Sequence, residues 1–243
     1  MKHALRLLPL IALASAPVSA AEPPSAQQIR AFLAEYGACV VKREHDLAMK
    51  SVLSGASFSR DSAEGKRLMQ RECMSEELLR NQANGFGGRL RMRFDEDTYR
   101  GVIAEALIVK DNAVLNKAAL PAIAVLTYEE PRPLRTTDRE GKPIPEEGLA
   151  RQRAAIARKT QAMLMGKLGE CAVRAAPAQS RAIIATAIDT PAELQALNAL
   201  GPTLGQCIKA GETVSLDRVS VRGALAIAYY RLANARRGDG AAQ

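Results

Sequence analysis

Four cysteines in two evenly spaced pairs constrain the fold of this chain more than any other feature of its sequence. Cys39 and Cys73 are 34 positions apart, and Cys171 and Cys207 are 36 apart. The near-equal spacing favours one disulfide within each pair, although four cysteines permit three pairings. Each disulfide would close a loop that stabilises the fold by roughly 3–4 kcal/mol through the unfolded chain. The alternative is a metal or redox site, against which the lack of any Cys-x-x-Cys spacing argues.

The segments around the cysteines resemble each other, which indicates that the chain contains two related halves. Residues 37–41, GACVV, align with residues 169–173, GECAV, at an offset of 132. Later in each half, Arg100-Gly101 and Arg222-Gly223 each lead into a run of apolar residues, here at an offset of 122. Identity between the halves is low, so the order and spacing of the motifs carry the prediction of an internal repeat.

Apolar residues recur at helical spacing in both halves, and helix start signals precede the runs. These signals are a capping box at Ser25 and Gln28, second helices from His45 and Pro177, capped starts at Ser62 and Thr190, and N-caps at Asp95 and Asp217. The segment 122–128, AIAVLTY, is the best candidate for a strand, and the sequence leaves it open. We therefore expect a mostly α fold, in which two related disulfide-stapled helical modules pack together.

The chain divides into five segments by composition. Residues 1–20 have the basic start, short apolar run and small cleavage-site residues of a secretory signal peptide, which predicts export and cleavage near Ala20. Helical module 1 then covers residues 21–128, and helical module 2, opening with a helix from about Leu149, covers residues 149–236. Between them, residues 129–148 hold four prolines and many charges and read as a linker or long loop. Residues 237–243 are expected to fray.

Charge and composition narrow the classes of partner. Without Lys2 and Arg6 of the leader, the chain has 32 basic and 26 acidic side chains, spread along its length. It has no tryptophan and few aromatic residues to stack on bases, so nucleic-acid binding is not expected. No segment is long and apolar enough to predict a membrane span.

No arrangement of residues in the sequence predicts a catalytic site, a metal site or a cofactor. After cleavage, His45 is the single histidine, and its place at a helix start indicates an exposed first-turn residue. Two acidic clusters, one at Glu72, Glu76 and Glu77 and one at residues 95–97, lack the order of an EF-hand. The glycine-rich stretch at 84–89 lacks the Lys-Ser/Thr of a P-loop.

Four arginines are the candidate contacts for an anion or a partner. Arg100 and Arg222 occupy matching positions in the two halves, and Arg89 and Arg91 lie beside the glycine-rich stretch that only the first half contains. The alternative for Arg100 and Arg222 is structural: each pairs with a neighbouring element, while Gly101 or Gly223 lets another helix approach closely.

The combination of motifs resembles a family of small, uncharacterised exported proteins of Gram-negative bacteria. The shared pattern is a leader, a Gly-x-Cys helix, a second cysteine about 35 residues on, and an Arg-Gly helix. The resemblance implies export and brings no catalytic residue with it. Three hypotheses follow: a non-enzymatic periplasmic or secreted envelope protein that binds a small ligand or an envelope partner, a carboxylate-dependent hydrolase, and a thiol redox or stress protein.

Overall fold

The structure, a computed structural model, describes residues 25–55, 61–74 and 96–235, in which helices are joined by irregular chain. Their α-helices are α1 Ala26–Arg43, α2 His45–Leu53, α3 Ala63–Leu68, α4 Glu96–Lys110, α5 Glu146–Ala175, α6 Pro177–Ala185, α7 Pro191–Cys207 and α8 Arg218–Ala233. Two 3-10 helices span Arg71–Cys73 and Lys117–Ala122. The mostly α prediction is confirmed for this part of the chain. The segment 122–128 is not a strand: it is irregular chain beyond Ala122, the last residue of a 3-10 helix.

The helices begin where local capping chemistry places them. Ser25 and Gln28 form the predicted capping box, in which each side chain bonds the other's backbone N–H. Thr190 accepts a hydrogen bond from the backbone N–H of Glu193, and Asp217 accepts from the first turn of α8. Asp95, the matching cap predicted in the first half, lies outside the described residues.

Helix α5 begins at Glu146, three residues earlier than the predicted start at Leu149. Pro145 precedes it, and Glu146 and Glu147 stand in its first turn, where negative charge interacts favourably with the helix dipole. The helix therefore takes in the last residues of the segment assigned to the loop. The rest of that segment is joined to α5 by reciprocal hydrogen bonds of 3.1 Å between the Arg135 backbone and the Gln152 side chain.

Both predicted disulfides are present. Cys39 on α1 bonds Cys73 in the first 3-10 helix, and Cys171 on α5 bonds Cys207 at the end of α7. Each bond ties the long opening helix of a half to the segment that carries that half's second cysteine. No disulfide joins the two halves, and all four cysteines of the chain are accounted for.

Helices α4 and α8 form the centre of one continuous core. They make the most extensive helix–helix contact of the described residues, with α1 packed on the other side of α4 and α5 on the other side of α8. Glycines bring these helices together: a Cβ at Gly37 would meet Val102, and a Cβ at Gly169 would meet the backbone of Ala224. Helix α2 packs on α4, and α6 packs on α8. This order places α4 and α8 at the junction of the two halves.

Candidate functional site

The crossing of α4 and α8 is the point from which the candidate site is built. A Cβ added to Gly101 would lie 2.6 Å from the Gly223 Cα, so the two backbones touch there. Such an approach is open only to helices without side chains at the contact. Two clefts adjoin this crossing, and Gly223 lines both of them.

Cleft A lies between α1, α4, the chain after α6, and α8, and has a volume of about 720 Å³. Its walls are mainly aliphatic, with Leu33, Val102 and Ala106 among them. Arg30, Glu105 and Arg222 are the charged residues that connect it to the interior. The chemistry of cleft A therefore depends on how these charges are paired.

Glu193 forms ion pairs with both arginines that line cleft A, Arg30 and Arg222. Its side chain is fully buried, and its carboxylate accepts hydrogen bonds from Arg30 at 2.8 Å, from Arg222 at 2.9 Å and from the backbone N–H of Asp189 at 3.0 Å. Arg30 also pairs with the Asp189 carboxylate. Burial alone would raise the pKa of Glu193, but its hydrogen bonds to Arg30 and Asp189 and the charge of Arg30 outweigh burial and lower it.

The guanidinium of Arg222 is fully engaged inside the protein. Its Nε donates to Glu105 at 2.8 Å, one terminal nitrogen donates to Glu193 and Thr186, and the other donates to the carbonyls of Ile184 and Thr186. A guanidinium has five N–H donors, and five bonds are made. Arg222 thus joins α4, α7 and the chain after α6 to α8.

The pKa of Glu105 is shifted in the opposite direction from the pKa of Glu193. Burial raises the pKa of the Glu105 carboxyl, and the charge of Arg222 and its hydrogen bond only partly oppose that effect. Glu105 and Glu193, which both accept hydrogen bonds from Arg222, therefore differ in how readily they ionise.

Cleft B lies on the other side of the crossing, between α4, α5 and α8, and has a volume of about 480 Å³. Ala162, Met165 and Ile227 give it an apolar wall, and Arg100 and Arg231 line it as cations. Tyr128, from the irregular segment, closes one side; its hydroxyl donates to the Gly166 carbonyl at 2.9 Å or to Glu170 at 3.0 Å. Cleft B is smaller than cleft A.

Lining residues of the two clefts are related by the two sequence offsets from which the repeat is predicted. Thr98, Val102 and Ala106 in cleft A correspond, 122 residues on, to Ser220, Ala224 and Ala228 in cleft B. Arg30, Leu33 and Ala34 correspond, 132 residues on, to Ala162, Met165 and Gly166. The charged residues break this match: Glu105 is replaced by Ile227, Arg30 by Ala162, and Val109 by Arg231.

The four arginines predicted as contacts differ in how the structure describes them. Arg222 is the saturated residue beside cleft A. Arg100 lines cleft B, pairing with Glu96 at 2.6 Å and lying 3.9 Å from Asp97. Arg89 and Arg91 lie outside the described residues, as does the glycine-rich stretch.

His45 is more than an exposed first-turn residue. Its Nε2 lies 2.7 Å from Asp111 and its Nδ1 lies 3.1 Å from Asp46. Hydrogen bonding to Asp111, and then to Asp46, raises the pKa of the imidazole. The Tyr230 hydroxyl donates to the other oxygen of Asp111 at 2.6 Å, so His45 connects α2 with α8 through the residue that follows α4. The acidic residues Glu76, Glu77 and Asp95 lie outside the described residues, and Glu72 is exposed.

Sequence reasoning missed Arg30, Glu105, Glu193 and Arg231. Glu193 was part of a capped helix start, and that signal is correct, since its N–H bonds Thr190. The other role of Glu193, as the centre of a buried ion-pair network, depends on α1 and α8, which are distant in sequence. A signal was available for Arg231, an arginine within an otherwise apolar stripe of α8.

The described residues lack the marks of a membrane or metal site. Within the described ranges, no helix has the length and hydropathy of a membrane span. The same residues contain no cluster of three or more histidine, cysteine or acidic side chains arranged to hold a metal. Comparison with protein-family models, with curated proteins and with solved structures finds no match, so the geometry of the two clefts is the basis for assigning a function.

Proposed function

We propose that the protein is an exported, non-enzymatic binding protein of the bacterial envelope, built from two copies of a disulfide-stapled helical module. The observation that carries this proposal is the pair of clefts at matching positions on either side of the Gly101–Gly223 contact. Concave, mainly apolar cavities with a few polar groups are the usual form of small-molecule sites, and their volumes are about 300–1,000 Å³. Both clefts fall within that range.

The helix boundaries support the duplication. Helices α2 and α6 span 45–53 and 177–185, and the ends of α1 and α5 are residues 43 and 175, all at an offset of 132. Helices α4 and α8 begin at residues 96 and 218, at an offset of 122. Two offsets taken from sequence motifs thus relate both the helices and the clefts. A duplicated module that forms two similar clefts can keep one for structure and change the other for binding.

Export is supported by the leader and by the disulfides. Residues 1–20 have a signal-peptide pattern, and all four cysteines are paired, as expected in an oxidising compartment. The thiol redox hypothesis requires an accessible free cysteine, and this structure contains none.

The test is to express the full chain with its own leader in a Gram-negative host. We expect oxidised protein in the periplasmic extract, cleaved near Ala20, and a small molecule retained by the purified protein in non-denaturing mass spectrometry. Ala162→Phe, which fills cleft B, should remove that molecule if it binds there, and Ala38→Phe is the matched variant for cleft A. Protein kept in the cytoplasm with its leader uncut would refute export; a protein that retains and binds nothing would refute the binding function.

One observation favours the second candidate, an exported carboxylate-dependent hydrolase. Glu105 lines cleft A with a raised pKa while Glu193 nearby has a lowered pKa, and such divergence is typical of acid–base pairs. Chromogenic ester, phosphate and glycoside substrates test it. Turnover that is lost in Glu105→Gln and kept in Glu35→Gln, an exposed glutamate beside the same cleft, would replace the binding hypothesis with this one.

A further inference from the structure

Arg231 differs from every other buried arginine of the described residues. Arg30, Arg100 and Arg222 each pair with at least one carboxylate. Arg231 is 6% exposed, yet no carboxylate of the described chain lies within ion-pair distance of it. Its contacts are a 3.1 Å hydrogen bond to the Thr127 carbonyl and the face of the Tyr128 ring, whose centroid is 5.5 Å from the guanidinium carbon.

A buried guanidinium without a counter-ion is unfavourable, because burial removes its hydration and nothing of opposite charge replaces the water. Burial lowers the pKa of Arg231; Tyr128 and Glu170 partly oppose this effect, and the positive charge of Arg100 adds to it. Glu170 already accepts hydrogen bonds from Arg174 and from the Leu126 backbone. Within the described part of the chain, Arg231 therefore has no carboxylate partner of its own.

Arg231 lines cleft B, and Gly55 lies next to its guanidinium. Gly55 has a φ of +63°, which favours glycine, and a Cβ there would lie 2.9 Å from an Arg231 Nη. Among the described residues that line cleft B, Arg100, Arg158 and Arg231 are basic and Asp97 is acidic. The apolar residues that line cleft B include Ala157, Ala162 and Met165.

We propose that cleft B binds a small organic oxyanion with an apolar body, such as an alkyl carboxylate or alkyl phosphate, whose head group pairs with Arg231. The head would supply the missing counter-ion, and the body would cover the apolar wall contributed by α5. This inference deepens the proposed binding function and rests on it. Cleft A provides an internal comparison, because Val109 takes the place of Arg231 there and the arginine matching Arg100 is saturated by Glu105 and Glu193.

The experiment is isothermal titration of the oxidised mature protein with sodium decanoate. Decyltrimethylammonium serves as the charge-reversed probe, and inorganic phosphate as the head without the body. We expect decanoate to bind, the cation not to compete with it, and phosphate to bind far more weakly. Arg231→Gln should weaken decanoate binding at least tenfold, and Arg231→Lys should retain part of it. Arg151→Gln, an exposed arginine on α5 outside the cleft, should leave it unchanged.

A second variant keeps the test decisive if Arg231→Gln does not fold. Ala162→Phe blocks cleft B without removing a charge and should abolish decanoate binding, whereas Ala38→Phe in cleft A should not. Decanoate binding that survives both Arg231→Gln and Ala162→Phe, or equal binding of the cation, would overturn the anion site. No decanoate binding by a protein that retains another molecule from the periplasm would overturn the anion site alone. A protein that binds neither would overturn the proposed function as well.

Discussion

The contact between Gly101 and Gly223 can be tested by one substitution made on each side. A Cβ on Gly101 would lie 2.6 Å from the Gly223 Cα and 3.3 Å from its carbonyl carbon. A Cβ on Gly223 would lie 3.4 Å from the Gly101 Cα, which is an ordinary van der Waals contact. The same glycine-to-alanine change at matching positions is therefore expected to have unequal effects.

The magnitudes follow from two opposing contributions to the free energy of unfolding. Both glycines lie inside helices, where alanine is favoured over glycine by about 0.5–1 kcal/mol. Gly101→Ala must also push two backbones apart, and overpacking of that kind costs about 1–3 kcal/mol. Because the helix preference cancels between the variants, Gly101→Ala should be less stable than Gly223→Ala by about 1–3 kcal/mol.

The assay is equilibrium urea unfolding of the oxidised proteins, followed by circular dichroism at 222 nm. Gly223→Ala should unfold at the wild-type midpoint or above it, and Gly101→Ala below it, with similar slopes. Equal midpoints for the two variants, or a lower midpoint for Gly223→Ala, would refute the argument that α4 and α8 touch at these residues as described.

Three further predictions concern the ion pairs and the disulfides. Glu193→Gln should destabilise the protein by about 3 kcal/mol in urea unfolding at pH 7, because it removes the negative charge that two buried arginines share. Since the pKa of Glu193 is lowered, the difference in stability between the variant and the wild type should shrink as the pH falls through that pKa. A difference that does not change with pH would contradict this prediction. His45→Gln should destabilise the protein more at pH 5.5 than at pH 8.5. The raised pKa of His45 stabilises the fold at pH values below the pKa of histidine in the unfolded chain, and this contribution is lost as the pH rises through the raised pKa. An equal loss of stability at the two pH values would rule out a contribution from Asp46 and Asp111. Replacing Cys171 and Cys207 together by alanine should lower the free energy of unfolding by about 4 kcal/mol, because the unfolded chain is no longer restricted by the loop that they close. An unchanged melting temperature of this variant would contradict the prediction.

The features that could be predicted from the sequence are those decided over short distances. Ser25 with Gln28, Thr190 and Asp217 cap their helices through atoms two or three residues away, so local sequence determines them. The disulfide pairing could be predicted from the near-equal spacing within each pair of cysteines. The helix α5 starts three residues before the predicted start at Leu149. The prolines before it favoured a loop, and the preference of Glu146 and Glu147 for the first turn of a helix was therefore not recognised.

The clefts could not be predicted, because they arise from contacts between distant helices. Arg30 and Glu193 are 163 residues apart and meet only when α1 packs near α7. Arg231 is 104 residues from Thr127, and its lack of a carboxylate partner can be seen only once the neighbours of α8 are known. Sequence periodicity identifies which face of a helix is apolar, but not which charge on that face finds a partner.

The disulfides have a consequence for how the chain matures. They join the first cysteine to the second and the third to the fourth, so each bond links cysteines that are neighbours in order along the chain. A chain delivered N-terminus first into an oxidising compartment presents Cys39 and Cys73 before Cys171 emerges. An oxidant that simply joins thiols in order of arrival therefore makes the native bonds. Under the proposed export, maturation should require an oxidant for the thiols but no rearrangement of non-native bonds by thiol–disulfide exchange.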